Sequence, residues 1–358
     1  MRTSVLLVQS ASTVQVRWLE DSFLALPANV FDGRRPSKSS AANQVLMKKL
    51  FLSLFVVVCL AGETSTRAIG APPQTPPTPI SELGNISTRA FVQTGDNVVI
   101  GGFIIQGSQS KRVIIRAIGP SLSQYGVPNP LFNPTLELHN ATGALIASND
   151  NWQHTIIGGI ITNNQVAEIM SSGYAPGDGR ESAIIADLSP GNYTAIVRGV
   201  NSMIGIALVE VYDLSPGNGS ILANISSRAL VQTDDNVMIG GFIVRGTQSD
   251  RVIIRAIGPS LRQYGVPNVL PDPTLELHDS TGALIASNDD WRHTIIGGII
   301  NRGQVVDIQN SGYAPSNESE SAIIADLPPG NYTAIVHSKN IIAGVALVEV
   351  YDINPRAF

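Results

Sequence analysis

"NISTRAFVQTGDNVVIGGFI" runs from Asn85 to Ile104, and "NISSRALVQTDDNVMIGGFI" runs from Asn224 to Ile243. Every later landmark recurs at the same offset without a gap: Trp152 with Trp291, Tyr174 with Tyr313, Glu181 with Glu320, Tyr212 with Tyr351. Roughly 70% of aligned positions are identical, which marks a recent duplication. The period is too long for a solenoid unit of ~20–50 residues and matches a whole domain of ~100–150. Each copy is therefore expected to close around a core of its own, over 84–214 and 223–354, with a short linker at 215–222 containing "SPGNGS".

Within a copy the pattern is one of strands. "KRVIIRAIG" from Lys111 and "IGIALVEVYD" from Ile204 are rich in β-branched residues. In "TLELH", Leu136 and Leu138 face one way, while Thr135, Glu137 and His139 face the other and should meet solvent. "NATG" from Asn140 and "DSTG" from Asp279 place Asn or Asp first and Gly fourth, as a type I turn prefers. "SPGNY" and "PPGNY" read as type II turns between strands. Paired glycines in "IGGF", at Ile100 and Ile239, mark a bulge or a close backbone approach. Eight or so short strands per copy predict an all-β chain of two tandem antiparallel β-sandwich domains, jelly-roll-like in size. "WQHTIIGGIITNNQVAEIMSSG", from Trp152 to Gly173, breaks the pattern and reads as an excursion with a short helix at "NQVAEIM".

The start of the chain sets the compartment. "MKKLFLSLFVVVCLAGETSTRAIG", residues 47–70, has the basic, apolar and small-residue regions of an export signal. Its apolar run is shorter than the ~20 residues of a spanning helix. Residues 1–46 then read as an upstream extension, and residues 71–83 as a proline-rich spacer. A real chain with a short internal anchor is the alternative. Cleavage would remove Cys59, the one cysteine, leaving no disulfide or thiolate chemistry. Residues 71–358 hold 15 Lys+Arg against 24 Asp+Glu, a net −9. Such a surface disfavours nucleic acid and anionic membranes, and no stable membrane insertion of the mature chain is expected. The expected location is extracellular or on the cell surface.

"RVIIRAIGPSL", "LELHDSTGALIASNDDW", "ESAIIADLPPGNYTAIV" and "GVALVEVYD" resemble a repeated module found, often near the C-terminus, in secreted proteins of soil and aquatic bacteria. The likeness covers nearly all of both copies, and "ALVEVYD" is its most specific piece. It implies secretion and a β-sandwich, and brings no defined activity. A looser likeness, through "LELHDSTGALIASNDD" and "PPGNYTAIV", is to pre-peptidase C-terminal domains, which can bind calcium or matrix polymers. No protease precedes the modules here.

Candidate chemistry is sparse. "SNDNW" and "SNDDW" offer Asn149 and Asp150, and Asn288, Asp289 and Asp290, as oxygen ligands at a strand end; Glu181 and Glu320, or the loops "TGDN" and "TDDN", could add more. Calcium takes six to eight oxygens, yet Asn and Asp also make turns without any ion. His139, His154, His278 and His293 lack the close spacing of zinc ligands. Trp152, Tyr174, Trp291 and Tyr313 could stack on a sugar, or the tryptophans could cap a core with the indole N–H bonded. "GPSL" lacks the nucleophile-elbow pattern. The sequence-level expectation is thus a non-catalytic binding or adhesion protein with no required cofactor, possible calcium aside. Its partner would be an extracellular polysaccharide, matrix or cell-surface protein. A purely structural spacer is the alternative, and a secreted hydrolase or its accessory comes third.

Overall fold

The computed structural model describes residues 4–10, 13–19, 82–233 and 236–354. Residues 47–70, read above as an export signal and containing Cys59, residues 71–81 of the expected spacer, and Asp234 and Asp235 of the "TDDN" loop lie outside the described residues. Strands β1 (Ser4–Ser10) and β2 (Thr13–Leu19) form a separate antiparallel pair. Among the described residues no helix is long and apolar enough to cross a membrane.

Each copy contributes eight strands. The first holds β3 (Glu82–Val92), β4 (Val99–Gly107), β5 (Lys111–Ile118), β6 (Pro134–Asn140), β7 (Leu145–Asn149), β8 (Ser182–Leu188), β9 (Gly191–Gly199) and β10 (Gly205–Asp213). The short helix α1 (Val166–Ser171) falls in the excursion, as its sequence pattern predicts. The second copy repeats the order as β11 (Ser220–Val231), β12 (Met238–Arg245), β13 (Asp250–Ile257), β14 (Pro273–His278), β15 (Leu284–Asn288), β16 (Ser321–Leu327), β17 (Gly330–Ser338) and β18 (Gly344–Asp352), with α2 (Val305–Ser311). Strand β11 thus takes in Ser220–Leu222, which the sequence reading places in the linker.

Pairing does not stop at the copy boundary. One run of hydrogen-bonded strands is β8-β5-β10-β3-β12-β17-β14-β15, and the other is β16-β13-β18-β11-β4-β9-β6-β7. Each run takes four strands from each copy. All pairings are antiparallel except a short parallel contact of β3 with β11, at Leu83↔Leu222 and Phe91↔Leu230. The expectation of a separate core per copy is therefore corrected: one apolar cluster takes Val99, Phe103 and Val113 from the first copy and Phe242, Val252 and Leu277 from the second. The physical reason is edge exposure. Strands β3 and β4 would each leave a row of unpaired N–H and C=O groups, and the other copy supplies the partner.

Local chemistry explains the elements. Strand β5 buries Val113 and Ile115 in the shared cluster and Ile114 on its opposite face, so its apolar run is continuous rather than alternating. The Asn140 turn forms as expected: Gly143 N–H donates to Asn140 O at 2.9 Å, and Gly143 adopts φ 80. Two expectations fail. Strands β8 and β9 belong to different runs, so "SPG" marks a crossing between them, and Gly191 takes φ 154 rather than the ~80 that the expected type II turn requires. His139 is buried rather than solvent-facing: it keeps the face of Glu137, as alternation requires, but its ring is held between the Glu137 carboxylate and Gly143 O and so is covered.

Candidate functional site

The strand-end cluster begins with Asn149, the last residue of β7. It is buried, and its amide nitrogen donates to Asn151 O at 3.4 Å and His154 O at 3.0 Å. Its Oδ1 accepts the Ala183 N–H at 3.1 Å. Asn288 repeats all three bonds, including Ala322 N–H at 3.0 Å. These amides fasten the turn onto the neighbouring strand, which is turn-making work.

Glu181 is fully buried and serves the backbone as well. Its Oε1 accepts the N–H groups of Gly119 (3.0 Å) and Ser121 (2.8 Å); its Oε2 accepts the Ser121 hydroxyl (2.8 Å) and the Asp178 N–H (3.1 Å). Glu320 makes the same four bonds with Gly258, Ser260 and Asn317. Burial pushes the Glu320 carboxyl above the usual carboxylate range in spite of these donors. The "GPSL" serine is thus a hydrogen-bond donor to a buried glutamate in each copy.

Aspartates do converge, with a member that the sequence reading missed. Asp272, just before β14, meets Asp289 and Asp290, with ligand oxygens within 4.8 Å of one another. The Lys339 ammonium lies 2.7 Å from Asp289, 3.8 Å from Asp272 and 4.0 Å from Asp290. Burial, with the like charges of Asp289 and Asp290, pushes the Asp272 carboxyl up, while its ion pairs raise Lys339. The first copy has Asn133, Asp150, Asn151 and Val200 at these places, one carboxylate against three. Asn133 Oδ1 and Asp150 Oδ1, and likewise Asp272 Oδ1 and Asp289 Oδ1, are buried oxygens with no donor among the described residues. An all-oxygen set of this kind suits calcium in charge and chemistry, though in the second copy a cation would have to displace Lys339.

The aromatic candidates lie inward. Trp152 is 7% exposed and Trp291 3%. Their indole N–H groups donate to Asp178 O at 3.0 Å and Asn317 O at 3.1 Å. Trp152 packs with Ile114, Ile169, Ile185 and Tyr212 in a second apolar cluster under the excursion. Tyr174 is stacked on Tyr212 at 4.3 Å, and Tyr313 lies on Tyr351 at 4.2 Å. Tryptophan rings buried this deeply present no open face to a sugar, and the core-capping arrangement is the one found. His139 is held between Gly143 O (3.0 Å) and Glu137 (3.1 Å), and that bond, with Arg198 nearby, lowers the Glu137 carboxyl. His154 and His293 are exposed.

What the excursion does present is apolar. In "TIIGGII", Ile156, Ile157 and Ile160 are 44%, 58% and 43% exposed, beside Leu145 at 54%. Ile295, Ile296, Ile299 and Leu284 repeat this in the second copy. The loop is shaped by the Gly158–Ile161 bridge and anchored by the Ile160 N–H on Ile146 O at 2.8 Å, which holds it along the outer edge of β7. Close approach requires glycine there: a Cβ on Gly159, at φ 56, would lie 2.0 Å from Ile146 O. Isoleucine pairs flanking two glycines were the available signal for an exposed tip, but the same run reads equally as a buried strand.

No family model and no curated protein matches this chain. Among solved structures, the chain is similar to a DUF4785 family protein from Legionella pneumophila, with 8% identity over 80% of this chain and 70% of that one, at TM-score 0.22. It is also similar to PNGF-II, with 12% identity over 79% and 59% of the two chains, at TM-score 0.20.

Proposed function

We propose that the chain is a secreted, non-catalytic contact protein, an all-β body built from two copies of one unit whose strands pair across the copy boundary, that adheres to extracellular matrix or cell envelope through its apolar loop tips. The pair of "TIIGGII" tips carries this reading. Scattered single isoleucines need no explanation, but three on one loop beside an exposed leucine, repeated in the second copy, mark a contact surface. The tips sit on β7 and β15, which end the two strand runs. Two equivalent weak contacts on one body raise avidity by ~10²–10⁴ when both engage. The non-catalytic assignment is supported by what the polar candidates do: Ser121, Glu181 and Asn149 are committed to turns and strand ends. The buried tryptophans favour a matrix protein or envelope surface over polysaccharide as the partner. Calcium belongs to this reading as an accessory, on Asn133, Asp150 and Asn151 of the first copy, where no lysine intervenes.

The test is retention of residues 71–358 on insoluble matrix and envelope fragments. Changing Ile156, Ile157 and Ile160 to Ser in one copy should weaken retention at least tenfold, and the same change in both copies should abolish it. Retention untouched by the double-copy variant would end the proposal and favour the spacer reading, for which the continuous strand runs are the supporting observation.

A further inference from the structure

We infer that the β3/β4 edge of each copy is a self-complementary docking edge, so that the molecule is an internal dimer whose natural partner surface is a second copy of the same unit. The geometry is that of a two-fold axis. Thr88 on β3 and Ser227 on β11 are equivalent residues of the two copies, and they meet each other: the Ser227 hydroxyl donates to Thr88 Oγ1 at 2.7 Å, both side chains fully buried. The parallel pairs Leu83↔Leu222 and Phe91↔Leu230 also join equivalents. Across the axis, β3 pairs with β12 from Ile239↔Arg89 to Arg245↔Glu82, and β4 lies against β11 at Ile105↔Leu222. A contact in which residue i meets j and j's equivalent meets i's is isologous, and one copy then carries both halves of it.

The "IGGF" glycines are the sequence device for this contact. A Cβ on Gly241 would lie 2.8 Å from Ser87 Oγ, and one on Gly102 would lie 3.4 Å from the Ser226 side chain. Each copy therefore thins its own β4 or β12 to admit the other copy's first strand. The close approach that the paired glycines predict is partly between copies, at Ser87 and Ser226, and partly within one, where a Cβ on Gly102 would lie 3.2 Å from Tyr193 O and one on Gly101 3.3 Å from Val209. One difference breaks the symmetry. Gly84 lies under Arg245, where a Cβ would be 2.2 Å from Nε, and the second copy has Ala223 at the equivalent place. Two first copies would set Gly84 against Gln106 and meet freely; two second copies would set Ala223 against Arg245, which must move.

The experiment uses the full chain with a protease site inserted at Gly217, which is exposed and has nothing within 4 Å of its Cβ position. After cutting, native mass spectrometry at micromolar concentration should find the halves together at the mass of the uncut chain. Halves that part into monomers would overturn the inference. Cut protein carrying a mass tag on the first copy is then mixed with untagged cut protein, exchanged in urea and diluted back. Pairs of two first copies should appear, and should outnumber pairs of two second copies. Full redistribution of the tag with only first–second pairs present would refute self-complementarity. Val in place of both Gly102 and Gly241 should make the cut halves separate; the conservative Thr88→Ser should leave them joined.

Discussion

Lys111 supplies the most demanding test of the packing at the junction. Its ammonium and the Asp213 carboxylate are 2.6 Å apart with both side chains fully buried. The same nitrogen donates to Ser215 O at 3.0 Å and Ser220 O at 2.7 Å, and reaches Asn218 Oδ1 at 3.4 Å, so it gathers the segment that joins the copies. Lys111→Met keeps the stem and removes the charge. Asp213 is then left buried without its counter-charge, and the carbonyls of Ser215 and of Ser220, the first residue of β11, lose this donor. Stranding one member of a buried pair costs about 3–5 kcal/mol, against about 0–1 kcal/mol for an exposed pair. Total stability of a folded domain is only ~5–15 kcal/mol, so the loss is a large share. With a urea slope of roughly 3 kcal/mol/M the midpoint should fall by about 1–2 M. Lys111→Met combined with Asp213→Leu should recover most of that fall, because the stranded charge is gone. A shift below about 1 kcal/mol, or strict additivity in the double variant, would refute the argument that this pair is a buried, coupled unit.

The remaining expectations concern titration and charge. His337 is held neutral by burial, with His278 adding to the effect, and its pKa is pushed down to about 3. Its contribution is whole above the ordinary ~6.5 and is lost as pH falls toward 3, because the unfolded chain takes up the proton first. Between pH 6.5 and 4.5 this amounts to about 2 kcal/mol, and His337→Gln should flatten that part of the urea-midpoint profile. In the second copy, Lys339→Met removes the ammonium shared by Asp272, Asp289 and Asp290. That variant should melt lower than the parent, and millimolar calcium should restore it more than it stabilises the parent; a calcium response equal to the parent's would contradict the charge argument.

Much of the architecture was legible from residues 85–104 and their return at 224–243, since a duplicated strand pattern of this length leaves little besides an all-β chain in two copies. The paired glycines announced a close approach, but not with what: β3 could have paired with β4 or with β12, and only tertiary edge pairing decides between them. His139 was read as exposed because alternation gives only the face of a strand residue, and the Glu137 carboxylate and Gly143 O that cover its ring are not visible in that pattern. "SPG" misled because a Pro–Gly turn and a crossing between strand runs draw on the same residues. At the strand end, Asn149 and Glu181 looked like ligands because the oxygens that bind ions also satisfy buried backbone N–H groups. Asp272 and Lys339 were missed because each lies far along the chain from "SNDDW" and reaches it only through the pairing of β14 with β15 and β17.

The tryptophans make the central claim measurable, since Trp152 and Trp291 each report on one copy from a buried position. Residues 71–358 carrying Trp152→Phe or Trp291→Phe leave a single reporter in the second or first copy. If both copies are halves of one hydrogen-bonded, commonly packed structure, the emission of either reporter and the backbone circular dichroism should follow one urea transition within each variant. Reporter and backbone signals that part by more than about 0.5 M, with one half unfolding while the other stands, would contradict it.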